Sequence, residues 1–241
     1  MRKAGRVIGV LVLIVALVVG GASLYVMSLI RAPFPQVSGS IEVSGITSEV
    51  QVLRDERGVP SLYAESLEDL FFAQGYVHAQ DRFWEMAVRR HITAGELSEM
   101  FGASQVSTDA FIRTMGWKRI AEQELGLLNE RSLRILNAYA AGVNEYLAHH
   151  SGKDLSLEYT ILQLQNPTYE PKPWEPVDSV AWLKALAWDL RGNMTDEIYR
   201  AVMSASVGVE NTEMLFPAYP FEQHRPIITT GAVVGQEFDP E

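Results

Sequence analysis

The sequence predicts a mainly helical α+β domain behind an N-terminal apolar helix. Three observations carry that expectation. Leu133, Leu136, Ala140, Val143 and Leu147 recur at helical spacing inside residues 130–149. A hairpin pattern, alternating side chains around Asp55-Glu56-Arg57-Gly58, occupies residues 50–64. An unbroken apolar run from Val7 to Ile30 is flanked by Arg2, Lys3 and Arg6 before it and Arg31 after it.

That run would span about 36 Å as a helix at about 1.5 Å per residue, against about 30 Å for a bilayer core. The apolar centre of a secretory signal is shorter, roughly 7–15 residues. Residues 1–31 therefore read as an uncleaved signal anchor, with a cleaved signal ending near Ala22-Ser23 as the alternative. The positive residues precede the run, which puts the remainder on the extracytoplasmic side, tethered, secreted or periplasmic. Residues 32–47 read as a Pro/Gly/Ser linker followed by a first strand in which Ile41 and Val43 alternate with polar neighbours. In the hairpin, Gly58 suits the positive φ of a turn. Ser66 with Asp69 resembles a capping box and opens a long helix.

Large apolar groups fall on every side of that helix, residues 66–90, with Gln74, His78, Gln80, Asp81 and Arg82 among them. A helix apolar all round belongs inside a large protein, and each unpaired buried polar group costs roughly 1–3 kcal/mol. The segment predicts a core threaded by a polar network, and a larger core than this chain supplies alone. Further helices are expected near 89–101, weakened at Gly95, then at 109–128 and 130–149. Four prolines exclude helix from 166–178. Asp178 or Ser179 then caps a helix through VAWLKALAWDL, and 195–205 is helical again. From 206 to 241 the periodicity fades into a spacer-like, poorly ordered tail.

The apolar segment holds four of the chain's 20 basic residues and no acidic one; the other 210 residues carry 16 basic and 30 acidic groups, a net of −14. Such a surface repels phosphate backbones, which excludes nucleic acid as a partner, and it suits a hard cation such as Ca²⁺. The chain has no cysteine, so disulfides, thiolate metal sites and a cysteine nucleophile are excluded. There is no G-x-S-x-G, H-E-x-x-H, Walker or G-x-G-x-x-G motif. His149-His150 reads as a helix C-terminal feature, His78 as a satisfied core histidine, and Asp81-Arg82 as an internal ion pair holding helices together. Asn193-Met194-Thr195 matches a glycosylation sequon, relevant only in a eukaryotic host. Composition and periodicity give no activity.

A resemblance does. Val52-Leu53-Arg54-Asp55-Glu56-Arg57-Gly58-Val59-Pro60, Tyr63-Ala64, and the run Ala73-Gln74-Gly75-Tyr76-Val77-His78-Ala79-Gln80-Asp81-Arg82 come first. Arg89-Arg90, Gly95-Glu96-Leu97-Ser98-Glu99, Asp109 with Arg113, and Tyr139-Ala140-Ala141-Gly142-Val143-Asn144 follow in order. Trp174-Glu175-Pro176-Val177-Asp178 and Gly192-Asn193 with Glu197-Ile198 complete the series. Together, over residues 48–205, they resemble the α chain of the penicillin acylase (penicillin amidase) family, N-terminal-nucleophile hydrolases.

The resemblance implies an αββα enzyme made as one self-cleaving precursor, of which this chain is the α-chain portion with part of the spacer. It implies an N-terminal serine nucleophile and an oxyanion hole on a β chain outside these residues, and hydrolysis of a linear amide. It implies no catalytic residue in this chain. It assigns Ala187, Leu190 and Arg191 to the acyl-pocket wall and Glu197 as one ligand of a structural Ca²⁺ completed by the β chain. Here the sequence departs from the penicillin G pattern, because the aromatic partner of the arginine is missing and Leu190 can equally be core packing. Ser61 also replaces the histidine usual after proline in the hairpin. The alternative reading is a non-catalytic, membrane-tethered binding or scaffold protein, or a truncated gene product.

Overall fold

The computed structural model describes residues 2–217, 219–220, 223–224, 233–234 and 237–238, with side chains described over 9–217, 219–220 and 223–224. It divides into two compact units, 1–188 and 189–241.

The first unit opens with helix α1 (Arg2–Arg31); its segment Gly9–Arg31 is long and apolar enough to cross a membrane, with mean hydropathy 2.6 and none of it buried. Arg2, Lys3 and Arg6, on which the orientation expectation rests, lie outside the described side chains. Strands β1 (Gln51–Arg54) and β2 (Pro60–Tyr63) pair antiparallel, Gln51 opposite Tyr63 and Arg54 opposite Pro60. The Asp55 carboxylate closes the turn by accepting the N–H groups of Arg57 and Val59 at 2.9 and 2.8 Å, and Gly58 takes φ 79°. The strand expected at 41–47 does not form. Carboxylates take the backbone donors a strand would have used: Asp69 accepts from the N–H groups of Thr47 (2.8 Å) and Ser48 (3.3 Å), and Glu145 from that of Ser44 (3.1 Å).

Helix α2 (Leu67–Ala94) starts at Ser66, whose Oγ accepts the Asp69 N–H at 3.0 Å. The return half of a capping box is absent because the Asp69 carboxylate faces Thr47 instead. α2 continues through the boundary expected near 89 and ends at Gly95 (φ 65°), whose N–H caps His91 and Ile92 carbonyls. After α3 (Leu97–Phe101), the single helix expected over 109–128 is two, α4 (Val106–Met115) and α5 (Trp117–Leu125), broken at Gly116 with φ 72°. α6 (Glu130–His149) has the expected bounds. α7 (Leu157–Gln165) was not legible, its nine residues being too few for a periodic pattern. α8 (Pro176–Leu190) begins at Pro176, inside the stretch read as non-helical, with proline at the first helical position and Asp178 in the first turn accepting the Glu175 N–H at 2.8 Å.

The core forms where α2 lies along α6. A Cβ on Gly75 would sit 2.1 Å from the Tyr139 carbonyl oxygen, and one on Gly142 would sit 1.9 Å from that of Phe72. Side-chain-free contact lets the two backbones touch, and Ala79, Phe83, Val143, Tyr146 and Tyr159 fill the space around the crossing. A buried polar network does thread this core. Asp69, Gln80, Arg90, His91 and Thr93 are all buried on α2, and each has a partner. The all-round apolar reading of α2 is corrected: His78, Arg82, Glu85 and Arg89 recur at three- and four-residue spacing and form one exposed polar face.

In the second unit α9 (Met194–Val207) and α10 (Val209–Leu215) meet at Gly208 (φ 87°). Helix α10 had no counterpart in the sequence reading. β3 (Val233–Val234) and β4 (Glu237–Phe238) pair antiparallel. Of the tail read as poorly ordered, 206–217 holds the end of α9 and all of α10, while residues 218, 221–222, 225–232, 235–236 and 239–241 lie outside the described residues.

Candidate functional site

The sequence motifs prove to be pairs that hold one another. Arg54 of the hairpin reaches α2, where its Nη1 and Nη2 donate to both Asp81 carboxylate oxygens at 2.8 Å; Nη2 also donates to Gln80 Oε1 at 3.0 Å. Asp109 accepts the N–H groups of Leu97 and Ser98 at 2.8 Å, and Arg113 Nε donates to the Gly95 carbonyl at 2.8 Å. Burial works to raise the Asp109 carboxyl; the Ser98 and Leu97 donors and Arg113 override it and hold it below the usual range. Asn144 on α6 exchanges two bonds with the backbone of Trp174, at 2.7 and 2.9 Å, fixing the loop before α8. Arg90, 4% exposed, donates from Nη1 to the carbonyls of Lys172 (2.7 Å) and Pro173 (3.1 Å) in the same loop.

The hairpin turn, the polar face of α2, α6 and the start of α8 line a cleft of about 670 Å³. His78 opens onto it and is exposed, so the core-histidine reading is corrected. Its Nδ1 lies 3.0 Å from the Tyr139 hydroxyl. Partial burial pushes the imidazole below its ordinary value, with Arg82 adding to the effect and Asp81 opposing it. Burial pushes the Tyr139 phenol up to about 12. A lowered imidazole against a raised phenol is a positioning contact, because the base is too weak and the phenol too weak an acid for His78 to activate Tyr139 as a nucleophile. The Asp81-Arg82 pairing is also corrected. Asp81 belongs to Arg54, while Arg82 is solvent-facing, pairs with Glu85 at 3.4 Å, and sits at a kink with φ −147° and ψ 25°.

A cluster that the sequence reading passed over lies at the end of α2. The ligand atoms of His91, Glu96 and Glu99 fall within 4.8 Å of one another. Lys172 already supplies its cation, with Nζ 2.7 Å from Glu99 and 3.4 Å from Glu96. His91 is buried, its Nδ1 2.7 Å from the Ala87 carbonyl and its Nε2 3.3 Å from the Tyr169 hydroxyl. Burial, the largest influence, pushes this imidazole down. The arrangement is an ion cluster closed by an ammonium.

Of the residues assigned by resemblance, Ala187 and Leu190 are both exposed on α8. Leu190 is 77% exposed within this chain. Together with Leu183 and Leu186 they form one exposed aliphatic stripe. Arg191 follows the helix and is half-buried; Glu197 stands exposed in the first turn of α9 beside Asp196. Calcium takes six to eight oxygen ligands. Among the described residues Glu197 joins no group of three or more ligands, so the residues present do not by themselves fit a calcium site. His149 and His150 close α6 as expected: His150 stacks on Tyr146 at 4.0 Å and His149 Nε2 lies 3.5 Å from Glu145.

A penicillin amidase family model matches residues 49–235. The penicillin acylase 2 proenzyme of Pseudomonas sp. (strain SE83) is 34% identical over 182 residues, covering 76% of this chain and 22% of the relative. The acyl-homoserine lactone acylase QuiP of Pseudomonas aeruginosa is 32% identical over 188 residues, with 78% and 22% covered. The thermostable penicillin G acylase from Alcaligenes faecalis superposes with a TM-score of 0.57 at 25% identity, covering 78% of this chain and 97% of that one. The chain thus spans about a fifth of the length of the curated relatives it matches, at 22%. The paired motifs, the helical scaffold they build and these likenesses agree: the chain is a member of the penicillin amidase family.

Proposed function

We propose that this chain is the amino-terminal, α-chain portion of a proenzyme whose mature form hydrolyses a linear amide, freeing an acyl group from an amine. The observation that carries the reading is the match of most of this chain to only 22% of the length of much longer acylases, one of them named a proenzyme. An N-terminal serine on the polypeptide outside these residues is the nucleophile, with its own α-amino group as base. The chain described here supplies scaffold and pocket wall. Ala187, Leu190 and Arg191 face the acyl group, and the aliphatic character of the α8 stripe suits an alkyl chain better than a phenyl ring. Glu197 contributes one carboxylate to a calcium site completed by the β chain. α1 is retained as a signal anchor, so the enzyme works outside the cytoplasm.

The test is to express the whole reading frame and follow amine release from N-octanoyl and N-phenylacetyl amides. Mass spectrometry should find a cleaved product with serine at its new N-terminus, and the octanoyl amide should react faster. An uncleaved product, or one that releases no amine, would leave a non-catalytic scaffold as the better account.

A further inference from the structure

We propose that α7 lies against the surface of the bilayer that α1 crosses, so that the domain rests on the membrane on a second, interfacial foot. The proposal depends on the anchor reading of α1 and is independent of acylase activity.

α7 has two apolar faces. Tyr159 (1% exposed) and Leu162 (5%) point into the core. Leu157 (37% exposed), Ile161 (53%) and Leu164 (83%) do not. At about 100° per residue the latter three fall within an arc of roughly 60°, on the side opposite Tyr159 and Leu162. Glu158 and Gln165 flank that stripe on one edge, Thr160 and Gln163 on the other. A short helix with one face satisfied by the core and a second aliphatic face bounded by polar residues has the pattern of an interfacial helix.

The position of α7 names the occupant. α7 touches α1, the helix with the length and hydropathy of a membrane span. Arg31 ends α1 as a basic residue suited to the headgroup level. Phe34 (66% exposed) and Val37 (68% exposed) follow at once on the linker, adding apolar groups where the chain leaves the helix. The chain's net charge of −10 disfavours an anionic surface, so the expected lipid is zwitterionic.

The absence of cysteine makes the test direct. Single-cysteine variants of the full chain, Leu164→Cys, Ile161→Cys, Gln123→Cys and Val18→Cys, are labelled with an environment-sensitive fluorophore. They are reconstituted in phosphatidylcholine vesicles whose acyl chains carry bromine as quencher. Position 123 is an exposed control on α5, and position 18 reports on α1. Quenching at 161 and 164 is expected to be several-fold stronger than at 123, with a blue-shifted emission. Quenching at 18 without quenching at 161 or 164 would overturn the proposal and assign this face to a protein partner, such as the rest of the proenzyme. Loss of quenching at 18 as well would show that the anchor reading itself fails and would take the proposal with it. Circular dichroism of each labelled protein confirms the fold.

Discussion

Gly75 on α2 and Gly142 on α6 stand across one helix crossing, each pressed against the backbone of the opposite helix. The approach is closer than any Cβ tolerates, so these two positions set the distance between the helices that carry most of the core. Gly75→Ala and Gly142→Ala should each destabilise the chain by about 3 kcal/mol or more, since overpacking against rigid backbone cannot be relieved by a rotamer change. Urea unfolding checks this. A cost within a few tenths of a kcal/mol would mean the helices are not so close.

Arg54 joins the hairpin to α2 through Asp81 and Gln80. Arg54→Ala removes four guanidinium hydrogen bonds, two to Asp81 and one each to Gln80 and the Gly58 carbonyl, from a largely shielded pair and should cost roughly 2 kcal/mol. The loss should be local. Hydrogen exchange should rise across residues 51–63 and stay unchanged in α6. Arg54→Lys should rescue little, because an ammonium cannot span both carboxylate oxygens.

Asp69 and Asp109 are carboxylates held below their ordinary values. For Asp69 the chief cause is the Thr47 hydroxyl, supported by the Thr47 N–H. A carboxyl lowered on folding stabilises the fold at pH values above its unfolded value, and that contribution is lost as the pH falls through the folded one. Stability should therefore drop below about pH 4. Asp69→Asn should flatten that part of the curve and free residues 47–48 to exchange.

His78 and His91 are both lowered by burial. A histidine lowered on folding must bind its proton more readily in the unfolded chain, so stability should also fall as the pH drops below about 6.5, before the carboxylates titrate. Nuclear magnetic resonance titration of the histidine ring protons should find both His78 and His91 titrating below the ordinary imidazole value of about 6.5. A His78 that titrates at or above 6.5 would contradict the burial argument.

The parts of the fold readable in advance were those with a local physical cause. Asp55 and Gly58 fix a turn within five residues, the leucine repeat fixes α6, and prolines exclude helix from 166 to 175. The misreadings each have a long-range cause. Residues 41–47 lack strand structure because Asp69 and Glu145, distant in sequence, capture their donors. The role of His78 was misassigned because the same motif that looked apolar all round places its polar members on one face. His91, Glu96 and Glu99 went unnoticed because their companion, Lys172, lies more than seventy residues away along the chain. Of the site residues carried by resemblance, the exposure of Ala187 and Leu190 could not be read from the sequence, because an aliphatic helix face looks the same whether it meets a core or stays open.

Helix α2 is fastened on both sides of itself in time as well as in space. Thr47, Ser48 and Arg54 precede it, so residues 47–94 can assemble as soon as they emerge. The other two attachments, α6 at Gly142 and the backbone at Lys172 and Pro173, arrive roughly 50 and 80 residues later, an interval of several seconds at about 5–20 residues per second. Over that interval Ala79, Phe83 and Ala87 stand bare on a half-made protein. A nascent chain stalled between residues 94 and 140 should therefore be the form that chaperones hold longest.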